Sequence, residues 1–276
     1  MPNKILSIVL DTPINPQNIQ KQIITKKNKK TKNSESFSKE ASEASKAYAL
    51  SQIKRREHSR YTAVKLLDEG LKAKEEAKEI YYTSFDKLRN IDGHKLLKEA
   101  RNNGFNTIYD ENGNIKKAFE YTKRHGKKPD TLTVYEYENN ELIREVTIKD
   151  NGIYVSSITN YSGNNFERMK FITGAYRGSD IYEYTVGRNM EDGVLVDRLY
   201  KFSNSSFGQI TEYRKGVKIN SDGTGTTHLV VKYNNDGKCQ SAQENILYDA
   251  TGKVIGADPE IKFQCEKNFY VMNFND

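Results

Sequence analysis

Residues 109–115 read Tyr-Asp-Glu-Asn-Gly-Asn-Ile, and residues 248–254 read Tyr-Asp-Ala-Thr-Gly-Lys-Val. Both follow the pattern Tyr-Asp-x-x-Gly-x-(Ile/Val), and residues 233–239 carry a variant of it, Tyr-Asn-Asn-Asp-Gly-Lys-Cys. Asp, Asn and Gly form turns, whereas Tyr and β-branched residues suit strands. Each copy therefore predicts a strand end, a tight turn and the start of the next strand. The motif residues are Tyr109, Asp110, Gly113, Tyr233, Gly237, Tyr248, Asp249 and Gly252.

The segment from Phe105 onward has the pattern of an antiparallel sheet. Short runs of alternating apolar and polar residues are separated by turns that contain glycine. The strongest hairpin signal is Asp150-Asn151-Gly152, because a type I′ turn needs positive φ at two positions. Further turns are predicted at 191–193, 214–216, 221–223, 235–237 and 250–252. These signals favour an open or curled meander of about ten strands over a closed propeller.

The N-terminal part has the pattern of helices. Residues 37–82 lack proline, are rich in Ala, Glu, Lys and Leu, and return apolar residues at helical spacing. Gly70 is predicted to kink or end this helix. Shorter helices are predicted at 84–91 and 93–102, the second capped by Asp92.

Charge and aromatic content divide the chain near residue 100. Residues 1–100 contain 21 basic and 13 acidic residues, and the remainder contains 23 basic and 24 acidic residues. Fourteen of the 18 tyrosines follow residue 100, so the core is expected there. The predicted class is α+β. A disordered basic tail (1–36) and a helical arm (37–104) precede a Tyr-rich antiparallel meander of degenerate hairpin repeats (105–276).

The motif copies resemble the YD repeat of the RHS family. In that family a Tyr-Asp pair precedes a turn glycine and a strand, and strung repeats make long β sheets or shells. The resemblance therefore implies a repetitive β structure. The arginine typical after the glycine is replaced here by Asn114 and Lys253.

Two clusters of basic residues suggest a second function, association with nucleic acid. Clustered cations neutralise phosphates and give salt-sensitive, sequence-independent binding. The alternative is a solubilising tail and a solvated helix face. The candidate contacts are Lys26, Lys27, Lys29, Lys30, Lys54, Arg55, Arg56 and Arg60.

The sequence offers no constellation typical of an enzyme. No two of the four histidines lie at metal-ligand spacing, and no Gly-x-Ser-x-Gly segment is present. Cys239 and Cys265 could pair if their strands are neighbours, but two reduced, half-buried thiols are expected. We predict no catalytic residue, metal or cofactor, although a small effector or toxin with chemistry near His125 is the remaining alternative.

The tyrosines of the strands either form the core or present an aromatic platform for a protein or glycan. We expect a non-enzymatic binding or scaffolding protein with a protein partner, and self-association through the 37–82 helix is a further possibility. Residues 5–10 are shorter than a signal-peptide core, and no segment is long enough to span a membrane. A cytoplasmic location is the default expectation, with export by a dedicated secretion system left open.

Overall fold

The computed structural model describes residues 35–123, 130–149, 154–172, 181–203, 208–266 and 269–272. In these residues, helices α1 (Glu35–Arg89) and α2 (Gly93–Asn102) precede fourteen strands. The strands are β1 (Ile108–Tyr109), β2 (Ile115–Thr122), β3 (Thr131–Glu138), β4 (Glu141–Lys149), β5 (Tyr154–Ser162), β6 (Asn165–Ile172), β7 (Ile181–Met190), β8 (Gly193–Ser203), β9 (Gln209–Asn220), β10 (Gly225–Tyr233), β11 (Cys239–Tyr248), β12 (Val254–Gly256), β13 (Ile261–Glu266) and β14 (Phe269–Met272).

The chain contacts form two compact units. Residues 68–263 make the larger one, and the described residues before and after them belong to the other. The larger unit contains the second part of α1, all of α2 and the strands from β1 to β12. The fold and the candidate surface below concern this unit.

The strands follow one another in chain order across the sheet. Each strand from β1 to β11 lies beside its sequence neighbours, and β13 takes the place next to β11 because β12 pairs only with the end of β11. The pairs are antiparallel, as short hairpin connections require. The predicted α+β class with an antiparallel meander is confirmed.

One cross-strand row of apolar side chains forms the spine of the core. It crosses eleven strands, from β2 to β11 and then β13. Val134, Met169, Tyr200 and Val231 in this row are fully buried. The members of this apolar row are Phe119, Val134, Val146, Ile158, Met169, Tyr184, Tyr200, Tyr213, Val231, Ala242 and Ile261.

The helical segment packs on the sheet face that carries the apolar row, which we call the covered face. Phe85 is fully buried, and its ring lies 4.7 Å from that of Tyr182 and 5.7 Å from that of Phe202, centroid to centroid. Phe105, just after α2, stacks on Tyr121 at 4.8 Å. Aromatic contacts therefore join the helices to β2, β7 and β8, and each buried ring contributes a large apolar area.

Helix α1 continues through Gly70, so the predicted end of the helix there and the separate helix at 84–91 are wrong. Gly70 instead allows the helix to lie close to the sheet. A Cβ atom at this position would lie 2.9 Å from the Sγ of Cys239 and 3.0 Å from Cγ1 of Val231. The Tyr233 hydroxyl also donates a 2.6 Å hydrogen bond to the Gly70 carbonyl. Gly70 thus lets the helix backbone touch β10 and β11.

Helix α2 confirms the predicted 93–102 helix and its cap. The Asp92 carboxylate accepts a hydrogen bond of 2.9 Å from the backbone N–H of Lys95. Such a bond satisfies one of the donors left unpaired in a first helical turn. Gly104 follows the helix with φ of 60°, a conformation that glycine adopts without strain.

The turn predicted at 214–216 is wrong, because these residues lie inside β9. Gly216 has φ of 61°, but Lys215 and Val217 on either side keep a regular register with Leu229 and Thr227 of β10. The strand therefore absorbs a positive φ without reversing. The predicted hairpin turn at 150–152, His125 and the tail up to residue 34 lie outside the described residues.

Candidate binding surface

The sheet face opposite the helices, which we call the outer face, carries a polar row. This row lies one residue away from the apolar row on every strand, and alternation along a strand places it on the other side. Lys170, Lys232 and Lys262 in it are exposed. The members of this polar row are Glu120, Thr133, Thr147, Ser157, Lys170, Glu183, Lys201, Glu212, Lys232, Ser241 and Lys262.

Charge alternates along the polar row from β6 to β10. Lys170, Glu183, Lys201, Glu212 and Lys232 stand on successive strands, each directly opposite the next. Adjacent strands are about 4.8 Å apart, so like charges recur about every 9.6 Å. The outer face therefore presents a regular series of positive and negative groups rather than one basic or acidic patch.

Glu212 is a largely enclosed charge of this series, with a side chain that is 18% exposed. Its carboxylate accepts a hydrogen bond of 2.7 Å from Nε of Arg214 and lies 2.9 Å from the Nζ of Lys201. Burial alone would raise the pKa of Glu212, but the hydrogen bonds from these two cations lower it below its usual range. Glu212 is thus ionised and fixed, and it holds Lys201 and Arg214 in place.

The β2–β5 end of the outer face has a different chemistry, based on tyrosine and glutamate. The Tyr135 hydroxyl donates to Glu120 at 2.9 Å, and the Tyr161 hydroxyl donates to Glu145 at 3.0 Å. Burial and the Glu120 carboxylate raise the pKa of Tyr135 to about 12. These hydroxyls therefore stay protonated at neutral pH and donate to the two carboxylates.

The charged contacts of the covered face attach the helices to the sheet. Lys215 of β9 binds Glu69 at 2.9 Å, and Lys117 of β2 binds Glu99 of α2 at 2.8 Å. Each of these pairs joins a helix to a strand. Because Glu69 and Glu99 already bind lysines of the sheet, the outer face is the better candidate for binding an external partner.

The three motif copies form the same turn. In the first, the N–H of Asp110 donates to the Asn114 carbonyl at 2.8 Å, and the N–H of Gly113 donates to the Asp110 carbonyl at 3.1 Å. The Asp110 side chain accepts from the N–H groups of Asn112 and Asn114. The copies that begin at Tyr233 and Tyr248 repeat all four bonds through Asn234 and Asp249.

These local hydrogen bonds stabilise the ionised carboxylates of the turns. Backbone donation, chiefly from Asn114, lowers the pKa of Asp110. Hydrogen bonds from the Thr251 hydroxyl and from the Lys253 N–H lower the pKa of Asp249. The geometry shared by the three turns therefore explains the Asp or Asn of the motif as a turn-stabilising residue.

The motif tyrosines do not converge on one site. Tyr233 is buried, Tyr248 is half-buried and Tyr109 is 58% exposed. The turn glycines Gly113, Gly237 and Gly252 all have positive φ, between 66° and 80°. The motif builds hairpins at separate places on the sheet.

A fourth turn of the same backbone form escaped the sequence motif. The N–H of Asn220 donates to the Thr224 carbonyl at 2.8 Å, and the N–H of Gly223 donates to the Asn220 carbonyl at 3.0 Å. Ile219 stands where the other copies have tyrosine. The spacing from Asn220 to Gly223 matches that of the motif, but the motif begins with an aromatic residue and this turn does not.

The basic residues that were predicted to contact nucleic acid fall into two groups. Lys54 and Arg55 are exposed on α1, and Arg60 is half-buried. Lys26, Lys27, Lys29 and Lys30 and the side chain of Arg56 lie outside what the structure describes.

The described residues contain no cluster of three or more His, Cys, Asp or Glu side chains that could hold a metal ion. Of the helices in this part of the chain, none is long and apolar enough to cross a membrane. Cys239 is buried, Cys265 is half-buried, and no disulfide joins them.

Comparison with protein-family models, with curated proteins and with solved structures found no match to this chain.

Proposed function

We propose that this chain is a non-enzymatic binding or scaffolding protein that uses the outer face of its sheet to hold a protein partner. The observation that carries the proposal is the polar row, with its ordered charges from Lys170 to Lys232. Interfaces between folded proteins gain specificity and orientation from such complementary charge patterns. The repeated turns, which resemble YD repeats, support a role in building an extended platform.

A capture experiment tests the proposal. Wild-type protein is immobilised beside the outer-face variant K170E/K232E/K262E and a matched control, K87E/K95E/K98E, which changes exposed lysines of the helices. We expect partners from an extract of the producing cells to bind the wild type and the control, and to be lost on the outer-face variant. Equal retention by all three proteins would contradict the proposal.

The exposed cations Lys54 and Arg55 favour a second candidate, association with nucleic acid. Phosphate contacts of this kind are lost steeply as salt rises. A filter-binding titration of single- and double-stranded DNA at several salt concentrations tests this candidate, with K54E/R55E as the variant. Retention that neither salt nor the variant reduces would exclude it.

A further inference from the structure

Helix α1 carries a second ordered series of charges on the side that points away from the sheet. Asp68, Lys72, Glu75 and Lys78 are all more than half exposed, with side-chain exposures of 59%, 67%, 68% and 61%. At 100° per residue these four lie on one side of the helix. The buried residues Gly70, Ala73 and Ala77 lie on the opposite side. We call the four charged residues the α1 stripe.

The α1 stripe and the polar row have matching periods. Along the helix axis Asp68 and Glu75 are about 10.5 Å apart, and Lys72 and Lys78 are about 9 Å apart. In the polar row like charges recur about every 9.6 Å. The order of signs is also complementary, because the stripe reads negative, positive, negative, positive, and the row reads positive, negative, positive, negative from β6 to β9.

We infer that the outer face of one copy of this chain binds the α1 stripe of a second copy. Glu75 then faces Lys201 at the centre of the interface whichever way the helix runs. In one direction Asp68 meets Lys170, and in the other it meets Lys232. The inference rests on the proposed function, since it names a second copy as the partner of the outer face.

Most of these charges are available for new partners. The exception is the Lys201–Glu212 pair, which stays in place at 2.9 Å, so that Glu75 approaches Lys201 as a second carboxylate. Asp68 and Lys72 pair at 2.7 Å, and Glu75 and Lys78 pair at 2.9 Å, but both pairs are exposed. Exposed pairs contribute little to stability, so their partners can be replaced at little cost. Lys232 approaches Glu260 only at 3.9 Å, and Lys170 and Glu183 form no ion pair with a described residue.

A polyanion fits the polar row less well than a second copy does. Glu183 and Glu212 stand between the lysines, so a strand of nucleic acid with a phosphate on every unit would meet carboxylates. A helix with alternating charge places its lysines over these two residues. The α1 stripe meets this requirement, and the interface uses two different surfaces of the chain, so it propagates head to tail.

Sedimentation velocity over a range of protein concentrations tests the inference on the full chain. At about 0.01 M NaCl, where the screening length is about 30 Å, we expect the mean mass to rise with concentration above the 31.7 kDa of one chain. At about 1 M NaCl, with a screening length of about 3 Å, the protein should return to the monomer. A monomer under all conditions would overturn the inference.

Charge reversal identifies the surfaces. The stripe variant D68K/E75K and the row variant K170E/K232E should each stay monomeric, whereas an equal mixture of the two should form one-to-one dimers, through the unchanged polar row of the first and the unchanged α1 stripe of the second. The controls E111K/E138K and K95E/K98E make the same charge changes at other exposed positions and should still assemble. Assembly by either test variant alone, or a mixture that stays monomeric, would contradict the inference.

The two proposals fail in distinguishable ways. If the chain is monomeric throughout but the outer-face variant still loses a captured partner, the second copy is not the ligand and the proposed function stands. If the outer-face variant captures partners as the wild type does, and the stripe and row variants each abolish assembly, the outer face serves self-association and not the binding of another protein. Thermal unfolding monitored by circular dichroism confirms that every variant is folded before either result is used.

Discussion

The hydroxyl of Tyr200 in β8 donates a 2.6 Å hydrogen bond to the carboxylate of Glu76 in α1. Tyr200 is fully buried at the centre of the apolar row, and Glu76 also binds Arg198 at 3.2 Å. Burial, together with the Glu76 carboxylate, raises the pKa of Tyr200. The bond therefore joins the helix to the middle of the sheet through a side chain that stays protonated.

Tyr200→Phe keeps the ring and removes this bond. We expect a loss of about 1.5 kcal/mol in the free energy of unfolding, typical of a hydrogen bond to a charged group. A double-mutant cycle with Glu76→Ala, measured by urea denaturation, isolates the pair, and its coupling energy should be about 1 kcal/mol. Additive effects would mean that the Tyr200 hydroxyl does not stabilise the contact through Glu76.

Gly252 and Gly237 separate the cost of a positive φ from the cost of a steric contact, because both have positive φ but only Gly237 lies close to another side chain. A Cβ at Gly252 meets nothing within 4 Å, whereas a Cβ at Gly237 lies 2.7 Å from Nε2 of Gln209. Gly252→Ala should cost about 1–2 kcal/mol through positive φ alone. Gly237→Ala should cost more, and adding Gln209→Ala should recover the difference. Equal costs in thermal or urea unfolding would argue against a role for Gln209.

Much of the sheet could be predicted because its signals are local. Alternating residues and Asn/Asp-Gly turns define hairpins within a few residues, and consecutive hairpins give a meander without further information. Asp92 likewise predicted the start of α2. Gly70 and Gly216 were misread because the atoms that approach them closely belong to residues distant in the sequence, Cys239 and Val231 in the first case and His228 of the adjacent strand in the second.

The polar row could not be predicted, because it depends on register. A shift of one residue in any strand would move its charged residue to the covered face. The sequence contains Lys170, Glu183, Lys201 and Glu212 at uneven intervals, so their alignment emerges only when each hairpin length is known. The β-bulge between Lys201 and Phe202 illustrates the point, since it changes the pairing of the residues beyond it.

Two buried threonines should respond in opposite ways to valine. Thr227 is fully buried, and among the described residues its Oγ1 has no hydrogen-bond partner. Thr227→Val should therefore raise the free energy of unfolding by about 0.5–1 kcal/mol, because an unsatisfied polar atom is removed. Urea denaturation measures this change, and a loss of stability would show that the hydroxyl is satisfied.

Thr159 provides the control. It is equally inaccessible, but its Oγ1 accepts a 3.0 Å hydrogen bond from Nε of Arg168. Thr159→Val leaves that donor without its acceptor and should cost about 1–3 kcal/mol. The opposite signs of the two substitutions separate the loss of a hydrogen bond from the gain in apolar volume.

The pH dependence of stability should reflect Glu212. Because its pKa is lower in the folded chain than its ordinary value of 4.5, the carboxylate adds stability above that value. This contribution is lost as the pH falls through the folded pKa.

At pH 7 Glu212→Gln should cost about 1–3 kcal/mol, since Arg214 and Lys201 lose a charged acceptor. Urea unfolding at several pH values should show the wild-type advantage shrinking below about pH 4.5. Glu138→Gln, at an exposed position, is the matched control and should follow the wild type throughout. An advantage that persists unchanged to low pH would mean that packing of the side chain, and not its charge, stabilises this part of the outer face.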